Sequence, residues 1–395
     1  MNWAQVETKE GWVKIPRNWL FLHYYEAISI LFKVENALRA LVYIVLKNEH
    51  GLVWVDISIS SDDASKTTIA ALAKKRIEQS QNYGYLGYQI GSPLMHLTSG
   101  ELVRIITSDP YWPHFKKYFN ASRQVVTLKL EEIGSIRNSL AHFRPLTSND
   151  VEVVKQNANQ VFSNIEQTLA EIIRGGQRVP TNTTSQWYLD LCSLGGQHTQ
   201  IVHNQSSDEL WVRTSLQFKF PILRRYPDKP DDYASFTVLD VNPVGMLQRS
   251  ETLRQLVTCV LERTPHVLMP GDYLPEIIAH VYFTFSKNML EKHHKEIKEE
   301  FESLLALIDS EADLIRDDNL ARGEVVHIAH VSANKRKSET WEYWSFNMDP
   351  MKHSLSQSDP PEFWGAIDMY TGDFVSDAHL FPWMPVSVSF QKFPF

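Results

Sequence analysis

Arg137, Asn138 and His142 share one short segment, Arg137-Asn138-Ser139-Leu140-Ala141-His142, in the first half of the chain. An arginine carries a permanent charge and a forked set of donors that fits phosphate oxygens. A histidine ordinarily titrates at about 6.5 and can move protons near neutral pH. An asparagine amide beside them can orient either the imidazole or the phosphate. These groups suit attack of a ribose 2′-OH on the neighbouring phosphodiester. That reaction needs a proton shuttle and fixed positive charge on the developing phosphorane. It needs no metal.

The position of Arg137 is unusual. Val126, Leu130, Ile133 and Leu140 recur at spacings of one helical face, and Arg137 falls in the same stripe. A guanidinium on a buried face costs several kcal/mol unless it is paired or faces a polar site. A carboxylate such as Glu35 could pair with it, and a purely structural salt bridge is the plain alternative to catalysis. His142 lies five steps further along, roughly 140° around the helix axis from Arg137. The two side chains can meet over one substrate only if the helix end loosens or a second subunit completes the site.

The segment resembles the Arg-x4–6-His motif of the HEPN superfamily, in its frequent form with Asn after the Arg. Val34-Glu35-Asn36-Ala37-Leu38-Arg39, followed by Lys47-Asn48-Glu49-His50-Gly51, resembles the first HEPN helix. Residues 97–106 and 112–119 are similar to the short middle helices of abortive-infection-type members. The resemblance covers about residues 20–176. It implies an up-and-down helical bundle, a homodimer whose two motifs meet at the dimer cleft, and a metal-independent endoribonuclease of toxin or antiphage type. Arg137, Asn138 and His142 would then be the catalytic residues, with Glu35 and Arg39 supporting them. RNA would be the substrate, with no cofactor and no metal. Other HEPN proteins serve only as dimerisation or RNA-binding modules, and that is the rival reading.

Helical patterns carry this segment. The first helix is expected over about 23–48, with Glu35 and Arg39 an i, i+4 pair. A second is expected to be capped by Ser60-Ser61-Asp62-Asp63 and to run to about 79. Residues 82–93 read as a loop, and a short helix opens at Leu97-Thr98-Ser99. Tyr111-Trp112-Pro113 breaks the pattern before a short amphipathic turn. Helices follow over about 122–141 and, capped by Thr147-Ser148-Asn149-Asp150, up to Gly175-Gly176. No strand-like alternation precedes this point.

Beyond it the pattern changes. Residues 177–186 read as a linker between a helical domain (1–176) and an α+β domain (187–395) of unknown role in recognition, sensing or regulation. Period-two alternation appears within 209–223 and 235–241, and strands are expected at 325–331, 340–346 and 386–390. Helices are expected at about 250–263, 274–285 and 289–315. Trp187, Trp211, Trp341, Trp344, Trp364 and Trp383 are mostly core candidates.

Other constellations are weaker. His293-His294 with Glu291 and Glu296 fits a solvated helix face better than a metal site. His327 and His330 fall on opposite faces of a strand. Asp309, Glu311 and Asp313 lack the glycine of a calcium loop. Lys335-Arg336-Lys337 reads as a hairpin turn. No P-loop sequence occurs.

Composition is compatible with this reading. The 395 residues are 43% hydrophobic, and the net charge of −8 argues against a broad nucleic-acid-binding face. Cys192 and Cys259 cannot build a disulfide framework, and no apolar run approaches the roughly 20 residues of a membrane span. The expected setting is the cytoplasm, with a regulatory partner or trigger.

Overall fold

The computed structural model describes residues 8–9, 12–13, 24–59, 67–82, 92–142, 144–174, 178–226, 233–268, 276–317, 322–337, 342–348 and 359–367. Two two-residue strands, β1 (Thr8–Lys9) and β2 (Trp12–Val13), form a small hairpin ahead of the helices. The helical part comprises α1 (Tyr24–His50), α2 (Ile69–Asn82), α3 (Ser99–Thr107), α4 (Trp112–Phe115), α5 (Arg123–Ala141) and α6 (Ser148–Arg174). Short 3-10 turns follow α1 and α4 and precede α3.

Helix α1 is the centre of this part. Every residue from Ala37 to Leu46 is buried, so the helix is enclosed on all sides. The stripe of α6, from Val151 through Val154, Ala158, Val161, Ile165 and Leu169 to Ile172, is buried as its period requires. So are Val126, Leu130, Ile133 and Leu140 of α5.

Helix starts follow local chemistry. Thr98 and Glu101 close a capping box on α3, and Arg76 of α2 grips the Glu101 carboxylate at 2.7 Å through both terminal nitrogens. Thr147 and Asp150 exchange the same kind of bonds at the start of α6. Helix α2 begins at Ile69, later than expected, with Thr68 accepting the Ala71 N–H at 3.1 Å. The expected cap at 60–63 lies outside the described residues, as does Gly175-Gly176. Pro113 does not interrupt structure; it occupies the first turn of α4, where its missing N–H is harmless.

The remainder is α+β. After α7 (Gln186–Leu191) come β3 (Thr199–Gln205), β4 (Trp211–Lys219), β5 (Ile222–Tyr226), β6 (Tyr233–Val241), α8 (Pro243–Arg249), α9 (Glu251–Leu256), β7 (Cys259–Leu268), β8 (Glu276–Ser286), α10 (Lys287–Asp317), β9 (Val326–Lys337), β10 (Glu342–Met348) and β11 (Phe363–Ile367). One sheet has the order β11-β7-β8-β4-β3 and the other β10-β9-β6-β5; all neighbours are antiparallel except β11 with β7.

Three expectations need correction here. The helix expected over 274–285 is strand β8, and most of that expected over 250–263 is α9 followed by β7. Val281, Phe283 and Phe285 are wholly buried and Tyr282 nearly so, because β8 lies between β4 and β7. A central strand covered on both faces loses alternation and reads like a buried helix. The bulge between Arg263 and His266 accommodates Pro265, which cannot donate to the ladder. Lys335-Arg336-Lys337 belongs to β9, paired with β10, rather than to a turn. The expected strand at 386–390, Trp341 and Trp383 lie outside the described residues. Trp187, Trp211 and Trp364 are buried.

The helices and the larger sheet pack on each other directly. Lys47 of α1 donates to Glu362 at 2.7 Å and to the Arg254 carbonyl at 2.5 Å, while Arg254 reaches the other Glu362 oxygen at 3.3 Å. Tyr43 sets its ring edge-on to Trp364 at 5.7 Å. Arg213 of β4 donates to the carbonyls of Ile172, at 2.9 Å, and Ile173, closing the end of α6. Buried apolar residues of both parts form one continuous core.

Candidate functional site

Arg137 emerges from the α5 stripe half-exposed, its side chain 38% accessible, with the Nε 3.7 Å from a Glu35 oxygen. The stripe therefore breaks at Arg137 rather than burying it. The other Glu35 oxygen accepts from the Arg39 Nη2. Arg39 is buried and also donates from Nε to the Leu94 carbonyl at 3.2 Å and from Nη2 to Leu97 at 3.4 Å. Burial pushes the Arg39 guanidinium below its ordinary value, and Glu35 opposes that shift. Arg39 thus fixes Glu35 between α1 and the turn that leads into α3, and Glu35 tethers Arg137.

Asn138 is exposed beside Arg137, its Oδ1 at 3.5 Å from the Arg137 Nη1. His142 caps α5. Its backbone leaves the helical region (φ −95°, ψ 16°), its N–H still reaches the Asn138 carbonyl at 3.1 Å, and Arg144 N–H closes back on Ser139 at 2.9 Å. The helix thus ends at His142, with its last turn still hydrogen-bonded. The imidazole is exposed and, among the described residues, has no hydrogen-bond or ion-pair partner. The structure joins Glu35, Arg39, Arg137 and Asn138 in one constellation, but it does not bring His142 into the same cleft.

That cleft, about 640 Å³, lies between α3 and α5. Arg137 and Asn138 line it from α5. Arg104, Gly100 and Ser99 contribute from α3, and Glu131 and Gly134 from α5. Sequence reasoning missed Arg104, Glu131 and Gly134. Arg104 and Gly134 each follow at helical spacing on a facing stripe, but only packing of α3 against α5 joins the stripes. Nearby, His96 is pushed below its ordinary value by burial and by Arg76 and Arg39, which favours its neutral form.

The other constellations resolve into structural roles. His293 pairs with Glu296 at 2.6 Å and His294 with Asp190 at 2.7 Å, so the two imidazoles serve different partners. Asp309 accepts the N–H groups of Gln197 and His198, and Glu311 accepts those of Glu324, Val325 and Val326. Among the described residues, no group of three or more His, Cys, Asp or Glu is placed to hold a metal ion, and no helix is long and apolar enough to cross a membrane.

No protein-family model, curated protein or solved structure matches this chain.

Proposed function

We propose that the chain is a HEPN-type endoribonuclease that cleaves RNA by 2′-OH attack without a metal, acting as a toxin or antiphage effector in the cytoplasm. The observation that carries this reading is Arg137 in the lining of the α3–α5 cleft: half-exposed, beside Asn138, and held by a 3.7 Å contact with Glu35 that a phosphate could replace. In this mechanism RNA enters along the cleft, and Arg137 carries the charge that builds on the phosphorane oxygens. His142 moves the proton between the 2′-OH and the leaving 5′-oxygen. Asn138 orients the phosphate. His142 lies outside the cleft lined by Arg137, so a second copy of the chain supplies it, which makes the active species a homodimer through the helical part.

The test is direct. The purified chain, in EDTA, should cut single-stranded RNA to products ending in 2′,3′-cyclic phosphate and leave DNA intact. Both Arg137→Ala and His142→Ala should lower cutting by about 100-fold or more while keeping helical circular dichroism. Cutting by well-folded His142→Ala at the parent rate, or its loss on chelation, defeats the reading.

One observation favours the second reading, a non-catalytic dimerisation or RNA-binding module: the Glu35–Arg137 contact is also what a plain structural salt bridge looks like. RNA binding without cutting, weakened by Arg137→Ala, is its signature.

A further inference from the structure

The α3–α5 cleft carries more than Arg137. Gly134 sits inside α5, where glycine is the poorest helix former after proline. Gly100 sits in the first turn of the facing α3. A Cβ built on either would meet nothing within 4 Å. Close packing within the protein therefore does not require either glycine, and both open onto the same cleft. The side chain of Arg104 is exposed and, among the described residues, has no ion-pair or hydrogen-bond partner. On α3, Gly100, Val103, Arg104 and Thr107 form one stripe; on α5, Thr127, Leu130, Glu131, Gly134 and Asn138 form the stripe that faces it. The result is a channel with an apolar floor, Val103 and Leu130. It has glycine gaps in both walls and a guanidinium on each, Arg104 on α3 and Arg137 on α5. Its volume lies within the range of clefts that take small organic ligands.

Resting on the ribonuclease reading, we propose that this channel is the subsite for the nucleotide next to the scissile phosphate. Gly134 and Gly100 leave the room that its sugar and base occupy, and Arg104 holds its backbone phosphate. Arg104 is then a positioning residue that sets where along the strand Arg137 engages. A phosphate bound by guanidiniums releases counterions, so binding weakens as salt rises, by about 0.7 per contact in a log–log plot for a single strand.

The experiment uses the full chain and a short fluorescent 2′-O-methyl oligoribonucleotide, which binds but cannot be cut, with anisotropy measured across a salt series. Gly134→Leu should weaken binding about tenfold or more while melting at or above the parent temperature, because leucine is the better helix former. Arg104→Ala should reduce the salt slope by about 0.7. Gly134→Leu binding as tightly as the parent, or an unchanged slope in Arg104→Ala, overturns the subsite. So does a parent chain that does not bind the probe. The ribonuclease reading fails separately, on cutting of ordinary RNA at the parent rate by well-folded Arg137→Ala or His142→Ala. Since the probe is not cut, the two failures are distinguishable.

Discussion

Glu35 stands between two arginines, and its two contacts are unequal. Arg39 is buried and bonded on several sides, so it is an anchor; Arg137 is half-exposed and 3.7 Å away. An exposed pair of that kind contributes at most about 1 kcal/mol. Arg137→Ala should therefore leave the urea midpoint almost unchanged while lowering the proposed RNA cleavage by about 10²- to 10³-fold. His142→Ala should cost about 10²- to 10⁴-fold. Asp240 tests electrostatics away from this site. Burial between the sheets pushes its carboxyl up to about 7, partly opposed by the Val241 N–H at 2.8 Å. Below the ordinary value of 3.8 both folded and unfolded chains hold the proton, and the stability is fully present. As pH rises toward about 7 only the unfolded chain ionises, so stability falls by on the order of 4 kcal/mol. Asp240→Asn should make that part of the pH profile shallower, as read by urea denaturation across the same range; the remaining fall comes from Glu262, whose carboxyl is pushed up to about 8 by burial and by Asp240.

Among the elements, α1 does the most joining. Its C-terminal turn buries Lys47 against Glu362, just ahead of β11, with Arg254 of α9 completing a charged triad. Burial lowers the Lys47 amine from its ordinary value, and Glu362 offsets part of that cost. Removing one member leaves a buried carboxylate with a single, half-buried partner. Lys47→Met should destabilise the fold by about 3–5 kcal/mol, and the pair Lys47→Met with Glu362→Met should recover much of the loss. A double variant whose loss equals the sum of the two single losses, in urea melts, would show that Lys47 and Glu362 are not coupled. Arg213 makes a second joint, satisfying the carbonyls at the end of α6 while stacking over Tyr282 at 4.3 Å.

For the whole molecule, these joints and the continuous core set the expectation for unfolding. The change from helix to strand falls across residues 175–198, near the expected linker, yet Arg178 pairs with Gln205 and the parts share buried contacts. Heating should give one cooperative transition by both helical circular dichroism and tryptophan fluorescence. A chain nicked within 177–186 should keep its two fragments together on size exclusion and release them only in denaturant. Two separate transitions would show that the parts fold independently.

The sequence by itself determined the long helices of the first part and set Arg137, Asn138 and His142 at the end of one of them. The stripes of α5 and α6, the helix start at Leu97-Thr98-Ser99 and the Arg-Asn…His segment rest on residues a few positions apart, and helical hydrogen bonds and caps are equally local. It read β8 and the start of β7 as helix, because burial on both faces weakened the alternation that marks a strand; only their pairing with β4 and β11 made them one sheet. The neighbourhood of Arg137 was likewise decided in three dimensions. Glu35 was named as a partner from its type, but whether Arg137 would be buried, and whether a cleft with Arg104 and Gly134 would open beside it, depended on how α1, α3 and α5 pack. Those helices are far apart in sequence, and no local period encodes the distance between them.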